Sequence, residues 1–270
     1  MSFPIDISEQ AGVRYLHFGS EWIQGAMRIA RPWNLELEYT REMMASLLLR
    51  EGGGRAARHP AASPLRGLRD DARWPRKVLL IGLGAASLTK FLYHNFPLAH
   101  LTVVEIEPAV IAAARQFFKL PEDPRRINIV TGDGVEYVLG TGRKYDLVLV
   151  DGFDEYARSG PLETLQFYQA CRACLGSDGI IAINLLTGGR GFNPTMTRIS
   201  KAFDDRALVF PSCESGNAIA FAAAGDPVGI SFDELKEKAL ALKAETGLNL
   251  LPTLARLAQA RTCLNDTLTL

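Results

Sequence analysis

The sequence predicts an α/β fold, in which a mostly parallel sheet with helices on both faces follows a small N-terminal antiparallel β-domain. From residue 77 onward, near-continuous apolar stretches of strand length alternate with helical stretches, which is typical of buried parallel strands. Residues 13–18 and 22–29 alternate in polarity around a Gly-Ser turn, as an antiparallel hairpin does. The chain has 270 residues, 47% of them hydrophobic, which is enough to bury a substantial core.

The N-terminal zone, residues 1–50, combines this hairpin with a helix. Apolar residues recur at helical spacing at Leu35, Tyr39, Met43 and Leu47, which predicts a helix over residues 36–49. Residues 51–76 then contain three successive glycines, three prolines and repeated arginines without periodicity. This composition predicts an exposed, flexible linker between the N-terminal zone and the sheet.

The main domain is predicted to cover residues 77–225. Its parallel strands are expected at residues 77–81, 101–105, 127–130, 146–150 and 179–184. Helices are expected at residues 88–95, 108–119 and 162–175, with right-handed crossovers between the strands. Two further apolar segments, residues 207–210 and 217–223, predict an antiparallel pair that closes the sheet.

The C-terminal zone, residues 226–270, is predicted to be helical. Ser231 and Glu234 have the spacing of a capping box, which predicts a helix that ends near residue 243. A second helical stretch covers residues 251–260. We expect these helices to cover a sheet edge or to form a subunit contact.

Composition and charge exclude several classes of protein. Thirty basic and thirty acidic residues give a formal net charge of +0, so no basic surplus indicates a nucleic acid or an anionic membrane as partner. No apolar stretch approaches the roughly 18 residues that a membrane span requires. The first ten residues lack the pattern of a secretory signal, and a cytoplasmic location is therefore expected.

The sequence does not predict a metal site. The four histidines are scattered without ligand spacing. Cys171 and Cys174 form a C-x-x-C pattern, but it lies within a predicted helix and no second such pair accompanies it. Buried helical thiols are therefore favoured over redox chemistry or half of a zinc site.

Candidate ligand-binding residues follow the first three parallel strands, at the sheet edge where ligands bind in open α/β sheets. Gly82 and Gly84 permit a tight turn before a helix, although this G-x-G-x-x-S pattern fits a plain turn almost as well. Glu105 ends the second strand, 21 residues after Gly84, where an acid accepts hydrogen bonds from ribose hydroxyls. Asp133 follows the third strand and precedes Gly134, and its carboxylate can accept a hydrogen bond from the exocyclic amine of adenine.

Together these residues favour adenosine as part of the ligand. A full dinucleotide fingerprint and a G-x-x-x-x-G-K-[ST] phosphate loop are both missing, which leaves an S-adenosyl sulfonium compound. Asp151 follows the apolar fourth strand, so its carboxylate is expected to be half desolvated. There it can bind an ammonium group and accept its proton, whereas the alternative is an ordinary solvated acidic loop.

Successive segments of the chain resemble motifs of the spermidine synthase (polyamine aminopropyltransferase) family. They are VLLIGLG at residues 78–84, VEIEPAV at 104–110, GDG at 132–134 and YDLVLVD at 145–151. Ile23-Gln24 resembles the G-V-I-Q segment of the family, residues 39–43 its Y-x-E-M segment and residues 215–217 its S-G-Q segment. The resemblance runs in one order over roughly residues 13–224, which makes it more specific than any single motif.

This resemblance implies a Rossmann-like sheet of the class I S-adenosylmethionine-dependent methyltransferase type. It implies decarboxylated S-adenosylmethionine as a co-substrate, no tightly bound cofactor, and a polyamine such as putrescine as the acceptor of an aminopropyl group. It also implies a homodimer or homotetramer with neither nucleic acid nor membrane as partner.

The resemblance further implies roles for individual residues. Glu105 would bind the ribose, and Asp133 with Gly134 the adenine. Gln24 would line the donor pocket together with the glycine turn. Asp151 would accept the proton of the attacking amine. The candidate acceptor-binding residues are Tyr39 and Asp154.

The amine half of the predicted site departs from the family pattern. Ala85 stands where the family has an aspartate that helps to hold the donor's propylamine. Asn184-Leu185-Leu186 replaces Q-G-E, and residues 151–155 replace D-S-S-D-P. Two alternatives therefore stay open, an S-adenosylmethionine-dependent methyltransferase and a catalytically impaired nucleoside-binding homologue.

Overall fold

The computed structural model describes residues 4–50, 74–154, 156, 158–187, 192–211, 216–259, 263–264 and 266–270. Within these ranges the strands are β1 (Asp6–Gln10), β2 (Val13–His17), β3 (Gly25–Arg28), β4 (Lys77–Ile81), β5 (His100–Glu105), β6 (Ile127–Thr131), β7 (Tyr145–Val150), β8 (Leu175–Leu186), β9 (Ala207–Pro211), β10 (Asn217–Ala223), β11 (Gly229–Ser231), β12 (Cys263–Leu264) and β13 (Thr267–Thr269). The α-helices are α1 (Glu38–Met43), α2 (Ser87–Asn95), α3 (Pro108–Phe117), α4 (Gly134–Gly140), α5 (Leu165–Cys174), α6 (Phe192–Ala202), α7 (Phe232–Thr246) and α8 (Leu251–Leu257).

The central sheet has seven strands in the order β6-β5-β4-β7-β8-β10-β9. The first five are parallel, and β10 and β9 are antiparallel to their neighbours, as predicted. Within this sheet the chain first forms β4, then β5 and β6 on one side of it, and then β7 on its other side. The carboxyl ends of β4 and β7 therefore flank the crevice in which open sheets of this kind bind ligands.

Buried apolar side chains cover both faces of this sheet. Along β4, Val78 and Leu80 belong to one buried cluster, whereas Leu79 and Ile81 belong to another. This division follows from the alternation of side chains along a strand. The first cluster also includes residues of the N-terminal and C-terminal zones, so the zone boundaries at 50, 76 and 225 stay predictions.

The N-terminal strands form a separate antiparallel sheet in the order β1-β2-β3. The pairing of β2 with β3 confirms the predicted hairpin, although β3 begins at Gly25, three residues later than predicted. Strand β1 was not predicted, because its sequence DISEQ is polar and its residues are mostly exposed. The N-terminal β-domain thus has one strand more than its hydrophobic pattern indicates.

The helix predicted over residues 36–49 is split in two. Helix α1 continues directly as a 3₁₀-helix at Met44–Leu48, whose residues are all buried. Both pieces pack on the central sheet. Most of the predicted linker lies outside the described residues, and its last part, 74–76, begins with Trp74, which is buried.

Some elements are missing from the prediction or have different bounds. Helix α6 buries only Thr195, Ile199 and Ala202, a pattern too weakly apolar to indicate a helix. Helix α4 is a seven-residue helix that begins with a glycine. The predicted helix over 162–175 is a 3₁₀-helix at Gly160–Glu163 followed by α5.

The C-terminal zone combines the predicted helices with a small sheet. The Ser231 hydroxyl accepts from the Glu234 amide at 3.2 Å, which confirms the predicted start of α7. Strands β11, β13 and β12 form a three-stranded antiparallel sheet that was not predicted, because the strands have only two or three residues. In the described ranges no helix has the length and apolar composition that crossing a bilayer requires.

Candidate active site

The register of the parallel strands brings their carboxyl ends together. Ile81 of β4 pairs with Val104 of β5 and with Val150 of β7, and Val150 pairs with Ile183 of β8. The residue that follows each of these four paired positions therefore lies at the same edge of the sheet. Those four residues are Gly82, Glu105, Asp151 and Asn184.

A cavity of about 590 Å³ opens at this edge, between the sheet and the N-terminal zone. It is lined by Phe18, Glu21, Trp22, Ile23, Gln24, Leu37, Glu38, Tyr39, Gly82, Leu83, Gly84, Glu105, Asp151, Gly152, Phe153, Asn184, Leu186 and Asn217. Most of the predicted site residues are in this set, including Gln24, Tyr39 and the two glycines of the turn.

Asp151 is held from both sides by hydrogen-bond donors. The Tyr39 hydroxyl donates to Oδ2 at 3.1 Å, and the Asn184 amide donates to Oδ1 at 2.8 Å. Burial raises the pKa of Asp151, and the two hydrogen bonds partly oppose this rise. Burial and the nearby Asp151 carboxylate raise the pKa of Tyr39 well above its ordinary value, so the phenol stays a neutral donor.

Glu105 lies at the bottom of the crevice with 8% of its surface exposed. Its Oε2 accepts from the Leu83 amide at 2.9 Å, and its Oε1 accepts from the Glu107 amide at 3.0 Å. Burial raises the pKa of Glu105, while these backbone bonds favour its charged form. The Ile106 backbone contributes in the same direction, so three backbone groups stabilise the Glu105 carboxylate.

A second cavity of about 230 Å³ continues from the first, and both include Phe18, Gly82 and Glu105 in their walls. Its lining is mainly apolar, with Ile81, Val104, Ile106, Val135, Pro161 and Leu162. Asp133 is one of its polar residues. Together the two cavities form one elongated site that runs along the strand ends.

Asp133 and Gly134 start helix α4 beside this second cavity. Oδ1 of Asp133 caps the helix by accepting from the amides of Val135 at 2.6 Å and Glu136 at 3.2 Å. A Cβ atom at Gly134 would lie 2.6 Å from Cγ2 of Ile81, so a glycine is needed for the helix to approach β4. The capping role of Asp133 was not predicted from the sequence, and its role in binding adenine stays a prediction.

Asp154 is not brought together with Asp151. Its oxygens accept from the amides of Tyr156 and Arg158 and from Nε of Arg158, each at 2.9 Å. It contributes to the second cavity and not to the first. The placement of Asp154 therefore does not support the expectation that it binds the acceptor amine.

Several lining residues were missed in the sequence. Glu21 and Glu38 add two carboxylates to those of Glu105 and Asp151, and among the described lining residues there is no lysine, arginine or histidine. Glu38 forms an ion pair with Arg41, which does not itself line the cavity. Because charged residues are frequent in loops and first helical turns, the sequence carried no signal that set these two apart.

Other sequence features do not line the large cavity, although Ala85 lines a small pocket beside it together with Gln24, Tyr39 and Asp151. Ala85 is buried against Gly25, where a Cβ atom would be 2.6 Å from the Cβ of Ala85. Cys171 and Cys174 are buried free thiols, as predicted, and burial raises the pKa of both. Over the described part of the chain no three His, Cys, Asp or Glu side chains are grouped so as to hold a metal ion.

The chain resembles known proteins in sequence. Residues 68–185 match the Spermine/spermidine synthase domain. A polyamine aminopropyltransferase of Chromobacterium violaceum is 32% identical over 255 residues, which cover 94% of this chain and 89% of the relative. One from Neisseria meningitidis is 32% identical over 248 residues, which cover 92% of this chain and 86% of the relative.

Solved structures share the fold. Spermidine synthase from Thermotoga maritima has a TM-score of 0.60 and 22% identity, with 94% of this chain and 84% of that chain covered. Human methyltransferase-like protein 13, in complex with SAH, has a TM-score of 0.65 and 24% identity, with 78% and 93% covered. At these identities the likeness establishes the fold alone, and it confirms the predicted Rossmann-like, methyltransferase-type sheet.

Proposed function

Because the chain belongs to the spermine/spermidine synthase family of aminopropyltransferases, we propose that it transfers an aminopropyl group from decarboxylated S-adenosylmethionine to a polyamine such as putrescine. Asp151 is the residue that accepts the proton of the attacking amine. The observation that carries this proposal is the Asp151 carboxylate, held by Tyr39 and Asn184 in a cavity with carboxylates and no basic side chain among its described lining residues.

The elongated site suits an adenosine group. The apolar second cavity accepts the adenine ring, with Asp133 as acceptor for its exocyclic amine, since the capping bonds use only Oδ1. Glu105 is part of both cavities and accepts hydrogen bonds from the ribose hydroxyls. The sulfonium group then lies in the larger cavity, on the side of Asp151.

The charge of the larger cavity favours the decarboxylated donor. Both the sulfonium and the ammonium of its aminopropyl chain are cations, and so is a protonated polyamine. The described lining has four acidic side chains, Glu21, Glu38, Glu105 and Asp151, and no cationic one. The carboxylate of ordinary S-adenosylmethionine would face these acids without a basic partner, which disfavours that donor.

The chemical step is an in-line displacement at carbon. The amine nitrogen forms a bond to the carbon next to the sulfonium, the C–S bond breaks, and sulfur keeps the electron pair as the thioether of methylthioadenosine. A primary amine has a pKa near that of lysine, about 10.4, so it is mostly protonated at neutral pH. Asp151 removes the proton, and alignment of the two reactants contributes as much as about 7–11 kcal/mol in ideal cases.

In the test, the purified 270-residue chain is given putrescine and each donor separately. Mass spectrometry then measures methylthioadenosine and spermidine from the decarboxylated donor, or S-adenosylhomocysteine from S-adenosylmethionine. We expect methylthioadenosine and spermidine in equal amounts from the decarboxylated donor alone. Release of S-adenosylhomocysteine alone would establish the methyltransferase alternative, and donor binding without any product would establish the impaired nucleoside-binding homologue.

The assembly and the location of the protein stay predictions. The homodimer or homotetramer is tested by light scattering of the purified chain. The cytoplasmic location is tested by fractionating the source cells. A polyamine is the proposed small-molecule partner, and neither nucleic acid nor membrane is part of the proposal.

A further inference from the structure

We propose that Asn184 and Asn217 are positioning residues that hold the Asp151 carboxylate in one orientation and in its ionised form. Asn184 donates through Nδ2 to Oδ1 of Asp151 at 2.8 Å, and Asn217 donates through Nδ2 to Oδ1 of Asn184 at 2.7 Å. Asn184 is 4% exposed and Asn217 is 8% exposed. The two amides thus form a short, largely buried relay that ends on Asp151. The kinetic part of this inference rests on the proposed function, in which Asp151 is the proton acceptor.

The direction of the relay follows from the chemistry of its members. An ionised carboxylate only accepts hydrogen bonds, so Asn184 must present its NH₂ group to Asp151. The carbonyl of Asn184 then points away from Asp151 and needs a donor, which the NH₂ group of Asn217 supplies. Asn217 therefore fixes which end of Asn184 faces the carboxylate, although it does not touch Asp151 in this relay.

The backbone sets the two amides side by side. In the antiparallel pairing of β10 with β8, Asn184 lies opposite Ile219, two residues from Asn217, so the two asparagines are a diagonal pair on one face of the sheet. The carbonyl of the preceding residue, Gly216, accepts from both the amide and the hydroxyl of Thr187 at 2.7 Å. The backbone next to Asn217 is therefore bonded to Thr187, the residue that follows β8.

The relay has a chemical task because the surroundings of Asp151 disfavour its charge. Burial raises the pKa of Asp151. The other titratable groups that line its cavity are Tyr39, a neutral donor, and the acids Glu21, Glu38 and Glu105, none of which is a cation that could stabilise the Asp151 charge. The neighbouring cation Arg41 is paired with Glu38. Hydrogen bonds from neutral donors are thus the described contacts that favour the charged carboxylate.

The test uses neutral substitutions, so that no added charge contributes to the result. In Asn184→Leu the Asp151 carboxylate loses the hydrogen bond to its Oδ1. In Asn217→Leu only the bond from Asn217 to Asn184 is lost. Asn128→Leu, at an exposed position on the edge strand β6, is the control. The titration of Asp151 is followed by ¹³C NMR of aspartate carboxyls in the full chain, with the signal assigned by Asp151→Asn.

We expect the titration midpoint of Asp151 to move to higher pH in both relay variants, and more in Asn184→Leu. The acid side of the pH profile of kcat/KM for the amine should move in the same direction, with a loss of about 10- to 100-fold at neutral pH that is partly recovered at higher pH. Asn128→Leu should change neither readout. If Asn217→Leu does not fold, Asn217→Ala, which only truncates the side chain, takes its place.

An unchanged Asp151 midpoint in a folded Asn217 variant would overturn the relay. So would a loss of kcat/KM that is the same at every pH, since that result indicates only a damaged pocket. Because the NMR titration needs no turnover, the relay and the proposed function fail separately. A shifted midpoint in a protein without transferase activity would support the relay and reject the function.

Discussion

The backbone carbonyl of Asp151 lies directly against the α-carbon of Gly82. A Cβ atom at position 82 would be 2.1 Å from that oxygen, and Gly82 has φ at +95°, a conformation that L side chains rarely adopt. The Asp151 amide also donates to the Ile81 carbonyl at 2.9 Å. The candidate proton acceptor is therefore placed by contact between the backbones of two neighbouring strand ends, before any side-chain interaction contributes.

Gly82→Ala should destabilise the protein strongly. The positive φ costs a non-glycine residue about 1–2 kcal/mol, and the clash with the Asp151 carbonyl adds about 1–3 kcal/mol of overpacking. The free energy of unfolding, measured by urea titration, should fall by roughly 2–5 kcal/mol. Gly12→Ala is the matched control, since Gly12 has φ at +76° but nothing within 4 Å of its Cβ position. Equal losses in the two variants would mean that the contact with Asp151 contributes nothing.

Asp151→Asn should abolish most of the transfer reaction with only a small loss of donor affinity, because three of the four acids that line the larger cavity remain. A positioned general base contributes roughly 10²- to 10⁴-fold to a rate, and the amide cannot accept the amine proton. Single-turnover rates and donor affinity by calorimetry measure the two effects. Asp154→Asn makes the same chemical change three residues away, where the carboxylate is used by Arg158 and the loop backbone, and it should reduce the rate by less than about fivefold. A larger loss in Asp154→Asn than in Asp151→Asn would reverse the assignment of the base.

The strands of the central sheet could be predicted from the sequence because each is a strong local signal. Lys77–Ile81 and Tyr145–Val150 are apolar runs that end in Gly82 and Asp151, and parallel strands place such ends on one edge. Strand β1 and helix α6 could not be predicted, because they bury few large apolar residues. Their formation depends on packing against distant segments, which the local pattern does not contain.

The candidate site was predictable where it depends on strand ends and not where it depends on side-chain partners. Glu105 and Asp151 occupy their positions because of the register alone. In contrast, the bond from Asn184 to Asp151 and the bond from Asn217 to Asn184 join residues 33 positions apart in the chain. Two single asparagines give no signal of that contact, and Asn184 stood out in the sequence only as a departure from the family pattern.

Tyr39→Phe should move the acid side of the activity profile to higher pH. Burial raises the pKa of Asp151, and the hydrogen bond from the Tyr39 hydroxyl opposes that rise, so its removal raises the pKa further. Because Asp151 accepts a proton only when it is ionised, activity should then be lost at a higher pH on acidification. The measurement is kcat/KM for the amine as a function of pH. Tyr93→Phe removes a similar Tyr–Asp bond, to Asp123 at 3.2 Å and outside the cavity, and should leave the profile unchanged.

Lys90 makes the stability of the fold depend on pH. Its side chain is 1% exposed, and its Nζ donates to the Phe118 carbonyl at 2.8 Å. Burial, with a smaller effect from Lys119, lowers the pKa of Lys90 to about 7. In the unfolded chain a lysine titrates near its ordinary value of about 10.4. Between these two values the unfolded state binds the additional proton, so the free energy of unfolding rises with pH by up to about 1.4 kcal/mol per pH unit.

Lys90→Met should remove this rise in the free energy of unfolding, because methionine is apolar, does not titrate and has a side chain of similar length. Urea unfolding at pH 7, 8 and 9 should show that the free energy of unfolding depends less on pH in the variant than in the original protein. At pH 7, near the pKa of the buried lysine, the variant should be at least as stable as the original protein. Lys236→Met, at an exposed position on α7, should retain the original slope. Parallel slopes in the original protein and Lys90→Met would show that Lys90 stays charged in the folded state, with the Phe118 carbonyl sufficient to stabilise the buried ammonium.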